Sequence, residues 1–259
     1  MRGGRSTLNL GTLPGELLND DLTVGRLLGR REALALIGAA GLALLGRPPL
    51  ARAESAAAIP SCLARPQQTE GPFFVDEALD RSDIRSDPAT GAVSPGAPLR
   101  LSFRVSRITG GACAPLPGAA IDIWQCDAAG RYSDVRDWGA STVGHKFLRG
   151  YQTTDAAGGA TFVTIYPGWY EGRAVHVHFK IRLPASDAHR REFTSQLYFD
   201  DALSDRVFAR APYRAGAAER RMRNERDGLF RAGGRQLTLD VREQTDGYAA
   251  TFDIGLDVS

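Results

Sequence analysis

The residues best suited to chemistry lie in Pro167–His178, which reads PGWYEGRAVHVH. This stretch holds a tyrosine, an arginine and two histidines in an H-x-H pair. Side chains alternate faces along a β-strand, so His176 and His178 project to one side and Val177 to the other. Two imidazoles on one face can share a metal ion without any loop closing over it. Gly168 and Gly172 bracket Trp169, Tyr170 and Glu171, which predicts a turn that brings Tyr170 back over the histidine face. A lone buried histidine is most often a hydrogen-bonded core residue. A same-face pair beside a tyrosine-bearing turn favours a metal centre, with Tyr170, His176 and His178 as candidate ligands.

The donor types narrow the metal. Imidazole suits zinc, copper or iron alike, and the segment has no cluster of carboxylates of the magnesium or calcium kind. A phenol with an ordinary pKa of about 10 needs a strongly charged cation to be ionised at neutral pH. Fe(III) meets that need, and tyrosinate is a ligand of ferric haem iron. Two tyrosinates and one hydroxide would balance its charge in a semi-apolar pocket. Tyr132 is the best second tyrosine, since it follows a strand end and rides on a tight turn. Tyr151, Tyr166 and Tyr198 read more simply as core or strand-face residues.

The elements that must position these groups are strands. Leu99, Leu101, Phe103 and Val105 alternate with Arg100, Ser102, Arg104 and Ser106, the period of a half-buried strand. Ala120–Trp124 reads as a buried strand. Tyr151–Thr153 and Ala160–Ile165 read as two strands joined by a hairpin turn at Asp155…Gly158-Gly159. Further strands are predicted over His176–Leu183, Thr194–Phe199, Leu237–Val241 and Tyr248–Val258. Asp134–Phe147 is a longer loop with Trp138 and His145. Asp201–Phe230 lacks strand pattern and reads as irregular or helical surface, with Arg220, Arg221 and Arg223 on a solvated face. Short strands without amphipathic helices between them indicate an all-β β-sandwich with irregular loops over residues 99–259. Residues 54–98, rich in Pro, Gly, Ser and Asp, form an extended N-terminal arm. Within the arm, Thr69–Phe74 (TEGPFF) carries a Gly-Pro turn and two phenylalanines that need cover.

Residues 1–53 read as an address. Gly29-Arg30-Arg31 precedes the uncharged apolar run Ala33–Leu45, and Ala51-Arg52-Ala53 is a small-x-small cleavage pattern. Twin arginines before a mild hydrophobic stretch resemble a Tat export signal, which places the mature protein in the periplasm or outside the cell. Thirteen apolar residues are too few to span a bilayer, so no stable membrane span is expected once the signal is removed. The 259-residue chain has 32 basic and 30 acidic side chains. The first 53 residues hold seven of those arginines and four of the acids, leaving 25 against 26, a net charge of −1. That balance excludes nucleic acid as a partner. Of Cys62, Cys113 and Cys126, two can pair in an oxidising compartment, and the spacing does not say which.

Four blocks together resemble the intradiol ring-cleavage dioxygenases, the non-haem iron(III) enzymes that include catechol 1,2-dioxygenase and protocatechuate 3,4-dioxygenase. The blocks are TEGPFF, Ile121–Tyr132 (IDIWQCDAAGRY), Arg149–Thr154 (RGYQTT) and Thr164–His178 (TIYPGWYEGRAVHVH). The resemblance implies Fe(III) held by Tyr132, Tyr170, His176 and His178. It implies catalytic roles for Tyr170, which leaves the metal and helps take a proton, and for Arg173, which matches the active-site arginine. Gln196 resembles a glutamine lining the family's pocket. The implied reaction joins dioxygen to a catechol-type substrate and gives a cis,cis-muconate-type diacid. The helical segment through which the dimeric catechol enzymes associate is not evident here, so the chain looks closer to the protocatechuate-type branch; a homo-oligomer remains compatible.

Two other classes compete. A non-catalytic exported β-sandwich of the binding or adhesion kind would account for the D-x-x-G turns at Asp127…Gly130 and Asp155…Gly158. An exported zinc or copper hydrolase would account for the histidines. The H-x-H beside Arg173 weighs against the first, and the paired tyrosines against the second.

Overall fold

The structure is a computed structural model that describes residues 63–137, 140–183, 192–213, 220 and 222–257. Its strands in chain order are β1 (Pro98–Thr109), β2 (Ala112–Pro115), β3 (Ala120–Trp124), β4 (Arg136–Asp137), β5 (Ala140–Ser141) and β6 (Arg149–Thr153). They continue with β7 (Gly159–Ile165), β8 (His176–Arg182), β9 (Glu192–Tyr198), β10 (Arg242–Gln244) and β11 (Gly247–Asp257). One sheet runs β10-β11-β1, with β7 and β2 end to end along the far edge of β1. The second runs β6-β3-β8-β9, and β4 and β5 form a separate small hairpin.

The two main sheets pack as a sandwich because each presents one apolar face. Leu99, Leu101, Phe103 and Val105 of β1 are buried, as the alternation predicts, and so are Val177, Phe179 and Ile181 of β8. The rings of Phe103 and Phe179 meet at 5.5 Å. The strand period then forces His176, His178, Lys180 and Arg182 onto the opposite, outer face of the second sheet. The histidine face is therefore not core, and something else must cover it.

The arm supplies that cover. Residues 63–97 run across the sandwich through single bridges, Asp80 to Tyr151, Asp83 to Val163 and Ala64 to Gly255. The Gln68 amide donates to the Thr194 carbonyl at 3.0 Å. Arg81 donates from Nε to the Arg149 carbonyl at 2.9 Å and from Nη1 to the Ser86 carbonyl at 2.5 Å. Lys180 on the histidine face pairs with Glu70 of the arm, and its ammonium lies 4.2 Å from the Phe74 ring centroid.

Several expectations need correction. Strands β6 and β7 are not a hairpin: β6 pairs with β3 and β7 with β1, in different sheets. Asp155 Oδ1 accepts from the Ala157 and Gly159 amides at 2.8 Å each, and this Asx turn carries the chain from one sheet to the other. Residues 237–241 are not a strand. Leu237 ends the 3-10 turn Gly234–Leu237, and only Thr238 bridges to Tyr198. Arg220 is not solvated. Its side chain is fully buried and bonds Asp201 at 2.7 Å and Asp205 at 3.0 Å, both on helix α1 (Asp201–Phe208). Arg223, half-buried, also pairs with Asp205. Cys113 is disulfide-bonded and Cys126 is a buried free thiol. Residues 1–53, Cys62, Trp138 and Arg221 lie outside the described residues.

Candidate metal centre

His176 and His178 open β8, each 2% exposed. Tyr132 follows β3 on a turn built by Asp127, whose Oδ1 accepts from the Ala129 and Arg131 amides at 2.9 Å each. Tyr170 lies in the turn ahead of β8. These two turns nest backbone against backbone. A Cβ on Gly130 would lie 2.3 Å from the Trp169 carbonyl oxygen, and one on Gly168 would lie 2.3 Å from the Asp127 carbonyl oxygen. Only glycine permits that approach, and the approach brings the two tyrosines together.

Four donor atoms then converge. From His176 Nε2, the His178 Nε2 lies at 3.0 Å, the Tyr170 Oη at 3.2 Å and the Tyr132 Oη at 3.3 Å. His176 Nδ1 lies 2.6 Å from the Ala174 carbonyl oxygen, which can only accept, so Nδ1 holds the proton and Nε2 presents a lone pair. One lone pair cannot accept from three donors at once. Four lone pairs aimed at one cation satisfy all of them, so the donor set fits a metal ion. Among the described residues no three His, Cys, Asp or Glu side chains gather into a metal cluster; the remaining ligands would have to be phenols.

Burial sets the protonation states. It pushes the Tyr132 phenol well above its ordinary value and Tyr170 up to about 12, with Arg173 pulling Tyr170 the other way. It drives His176 down to about 3 and His178 well below the usual imidazole range. Without a cation, all four groups are neutral at pH 7. Neutral imidazoles are ready ligands, and ionising the phenols requires a positive charge at the point of convergence.

Arg173 stands beside this cluster. Its Nε donates to Asp227 at 2.9 Å and its Nη2 to Gln196 Oε1 at 2.5 Å and Tyr198 Oη at 3.4 Å. Burial disfavours its charge, yet Tyr170 and Asp227 leave its pKa raised. Gln196 also donates to the Thr69 carbonyl of the arm at 3.0 Å. All six candidate residues thus belong to one neighbourhood.

Neighbours that the sequence did not single out complete it. Arg149, Trp124, His178 and Gln196 face one another in register across β6, β3, β8 and β9. Arg149 is buried and donates from Nε to Ser133 Oγ at 2.9 Å, fixing the residue after Tyr132. Phe73 of the arm stacks on Tyr132 at 4.4 Å, and Phe74 lies 4.8 Å from Trp124. These phenylalanines, which the sequence shows to need cover, find it against the aromatic rings of the centre. The strand order hid the cross-strand row, and Asp227 reads in sequence as an ordinary surface acid.

A family model described as Dioxygenase matches residues 69–257. An intradiol ring-cleavage dioxygenase from Tetranychus urticae is 30% identical, with a TM-score of 0.64 over 76% of this chain and 95% of that one. This chain belongs to the intradiol ring-cleavage dioxygenases. The dioxygenase domain of a dioxygenase and carbohydrate-binding protein fusion from Streptomyces sp. SirexAA-E is 33% identical, with a TM-score of 0.52 and coverage of 76% and 99%. The protocatechuate 3,4-dioxygenase beta chain of Burkholderia cepacia is 29% identical over 188 residues, 69% of this chain and 74% of that one. Family membership supports a dioxygenase acting in catechol ring cleavage and places the adhesion-module reading behind it.

Proposed function

We propose that the chain is an exported ferric dioxygenase that opens a catechol-type ring between its two hydroxylated carbons with dioxygen, giving a cis,cis-muconate-type diacid. The observation that carries this is the meeting of two phenol oxygens and two imidazole nitrogens within 3.3 Å of His176 Nε2 or at it. Tyr132, Tyr170, His176 and His178 would hold Fe(III), which when bound supplies Lewis acidity to a chelated catechol.

The protein's residues divide the remaining work. Tyr132 is buried and stacked on Phe73, so it stays in place. Tyr170 is less buried and lies near Arg173. It is the phenol free to move, and its Oη can hold a proton from the incoming catechol. Arg173, held between Asp227 and Gln196, faces the negative charge that develops on the ring oxygen as the substrate ketonises. Trp124, Phe73 and Phe74 keep water from the centre.

Export rests on the Tat-like pattern of residues 1–53. The disulfide at Cys113 suits an oxidising compartment. The deciding experiment is oxygen uptake by the purified protein over a panel of catechols, with product mass. A red to burgundy iron protein should consume one dioxygen per ring and return both oxygen atoms in the product. A colourless, iron-free protein that is inert toward every catechol would end the reading. Cell fractionation tests the location separately.

A further inference from the structure

We propose that Asp227 is a positioning residue for the reaction, fixing the Arg173 guanidinium from one oxygen while the same oxygen anchors the backbone N–H of Ala174, one peptide before the carbonyl that holds His176. This rests on the dioxygenase reading above. Asp227 is 2% exposed and comes from 54 residues beyond Arg173. Its Oδ2 accepts from Arg173 Nε at 2.9 Å and from the Ala174 amide at 2.8 Å. Its Oδ1 accepts from the Leu229 amide at 2.8 Å and the Phe230 amide at 3.3 Å, capping helix α2 (Gly228–Arg231). Both oxygens are therefore committed, and the carboxylate cannot turn.

Ala174 is held on both sides, through the two peptide groups that flank its Cα. Its N–H points to Asp227 and its carbonyl accepts from His176 Nδ1 at 2.6 Å. A single carboxylate thus fixes the arginine and anchors the residue whose carbonyl bonds His176. The other partners of Arg173, Gln196 and Tyr198, are neutral. Among the described residues Asp227 is the one carboxylate paired with it. Those bonds use Nε and Nη2. Burial alone would raise the Asp227 pKa, but the Ala174 amide and Arg173 hold it below the usual carboxylate range. The charge is present throughout the neutral range.

A capping role alone would be structural, so the test separates the two. Serine caps helices about as well as aspartate but is neutral and shorter. Asp227→Ser therefore keeps the cap and releases the arginine. We expect iron to be retained and kcat to fall about 10–100-fold, as for other outer-shell changes, with a smaller change in KM. In an Arg173→Ala background the same substitution should cost clearly less than in the wild type, because only the bond to the Ala174 amide is left to lose. A second readout needs neither iron nor turnover. In the iron-free protein the Arg173 Nε–H should give a slowly exchanging 1H–15N signal, assigned by its loss in Arg173→Lys and absent in Asp227→Ser. An unchanged signal, an unchanged kcat, or an equal loss in the Arg173→Ala background would overturn the proposal. Should the serine variant not fold, the isosteric Asp227→Asn is judged by the same outcomes. If no catechol is cleaved, the dioxygenase reading fails while the Nε–H signal still decides the bond to Asp227.

Discussion

The indole of Trp124 lies flat on the imidazole of His178, with ring centroids 4.9 Å apart and planes within 8°. The two are register partners on β3 and β8, and both are buried. Among the described residues His178 Nδ1 has no hydrogen-bond partner, so the stack helps hold this ring in orientation. Trp124→Leu should lower iron affinity by about 10–100-fold, the effect usual for support behind a metal ligand. Chelator competition measures it. Unchanged affinity would show that the strand alone aims the imidazole.

The ligands themselves give the sharpest expectation. Tyr132→Phe removes one oxygen from the convergence, and His178→Ala removes one nitrogen. Each variant should lose iron, or most of the visible colour, while the sandwich still folds, because neither side chain lies between the sheets. Metal analysis and absorption spectra check this. Full colour and activity in either variant would strike that residue from the ligand set.

The nested turns predict a contrast between glycines. Alanine at Gly168 would press its Cβ against backbone, 2.3 Å from the Asp127 oxygen and 2.9 Å from the Ala128 carbonyl carbon. Backbone cannot swing aside, so Gly168→Ala should cost at least about 1–3 kcal/mol and displace Tyr170. Gly172 has a φ of +91°, and a Cβ added there would meet nothing within 4 Å, so Gly172→Ala should cost the backbone strain alone, about 1–2 kcal/mol, and leave Tyr170 in place. Thermal unfolding of the two variants should rank them in that order.

Acid should weaken the iron-free protein early. His176 and His178 are held neutral with pKa values far below the usual imidazole. Below about pH 6.5 the unfolded chain therefore binds protons that the folded chain refuses, and stability falls as pH falls. Asp122 works in the opposite sense. Burial lifts it to about 6, so the folded state takes up a proton there more readily than the unfolded state. Two large histidine shifts outweigh one smaller carboxylate shift, so the net loss should appear between about pH 6.5 and 4. Denaturant unfolding at pH 7 and pH 5 decides the sign. Greater stability at pH 5 would contradict neutral, buried imidazoles.

What could be seen in the sequence follows the range of the physics involved. The H-x-H face and the turn behind Tyr170 are local, set by strand alternation and glycine, and the structure has both. The β1 and β3 strands are equally local, since burial alternates or persists along them. The exchange of sheets between β6 and β7 was not visible, because an Asx turn at Asp155 looks the same whether its flanking strands pair or part. Leu237 and Leu239 are both buried, which imitates a strand, though a 3-10 turn places the first. Arg220 looked solvated because its partners, Asp201 and Asp205, become neighbours only when α1 forms. Asp227 was missed for the same reason: nothing within its own stretch of chain announces Arg173.

The chemistry of this protein sits outside its keel. Because β8 turns its histidines away from the packed interior, the four-donor centre rests on sheet and is covered by a strap tied down by ion pairs and stacked rings. On the function proposed above, substitutions in Thr69–Phe74 should change which catechols are accepted with little effect on the residues between the sheets. Selectivity would then lie largely in this strap, and the packing energy between the sheets.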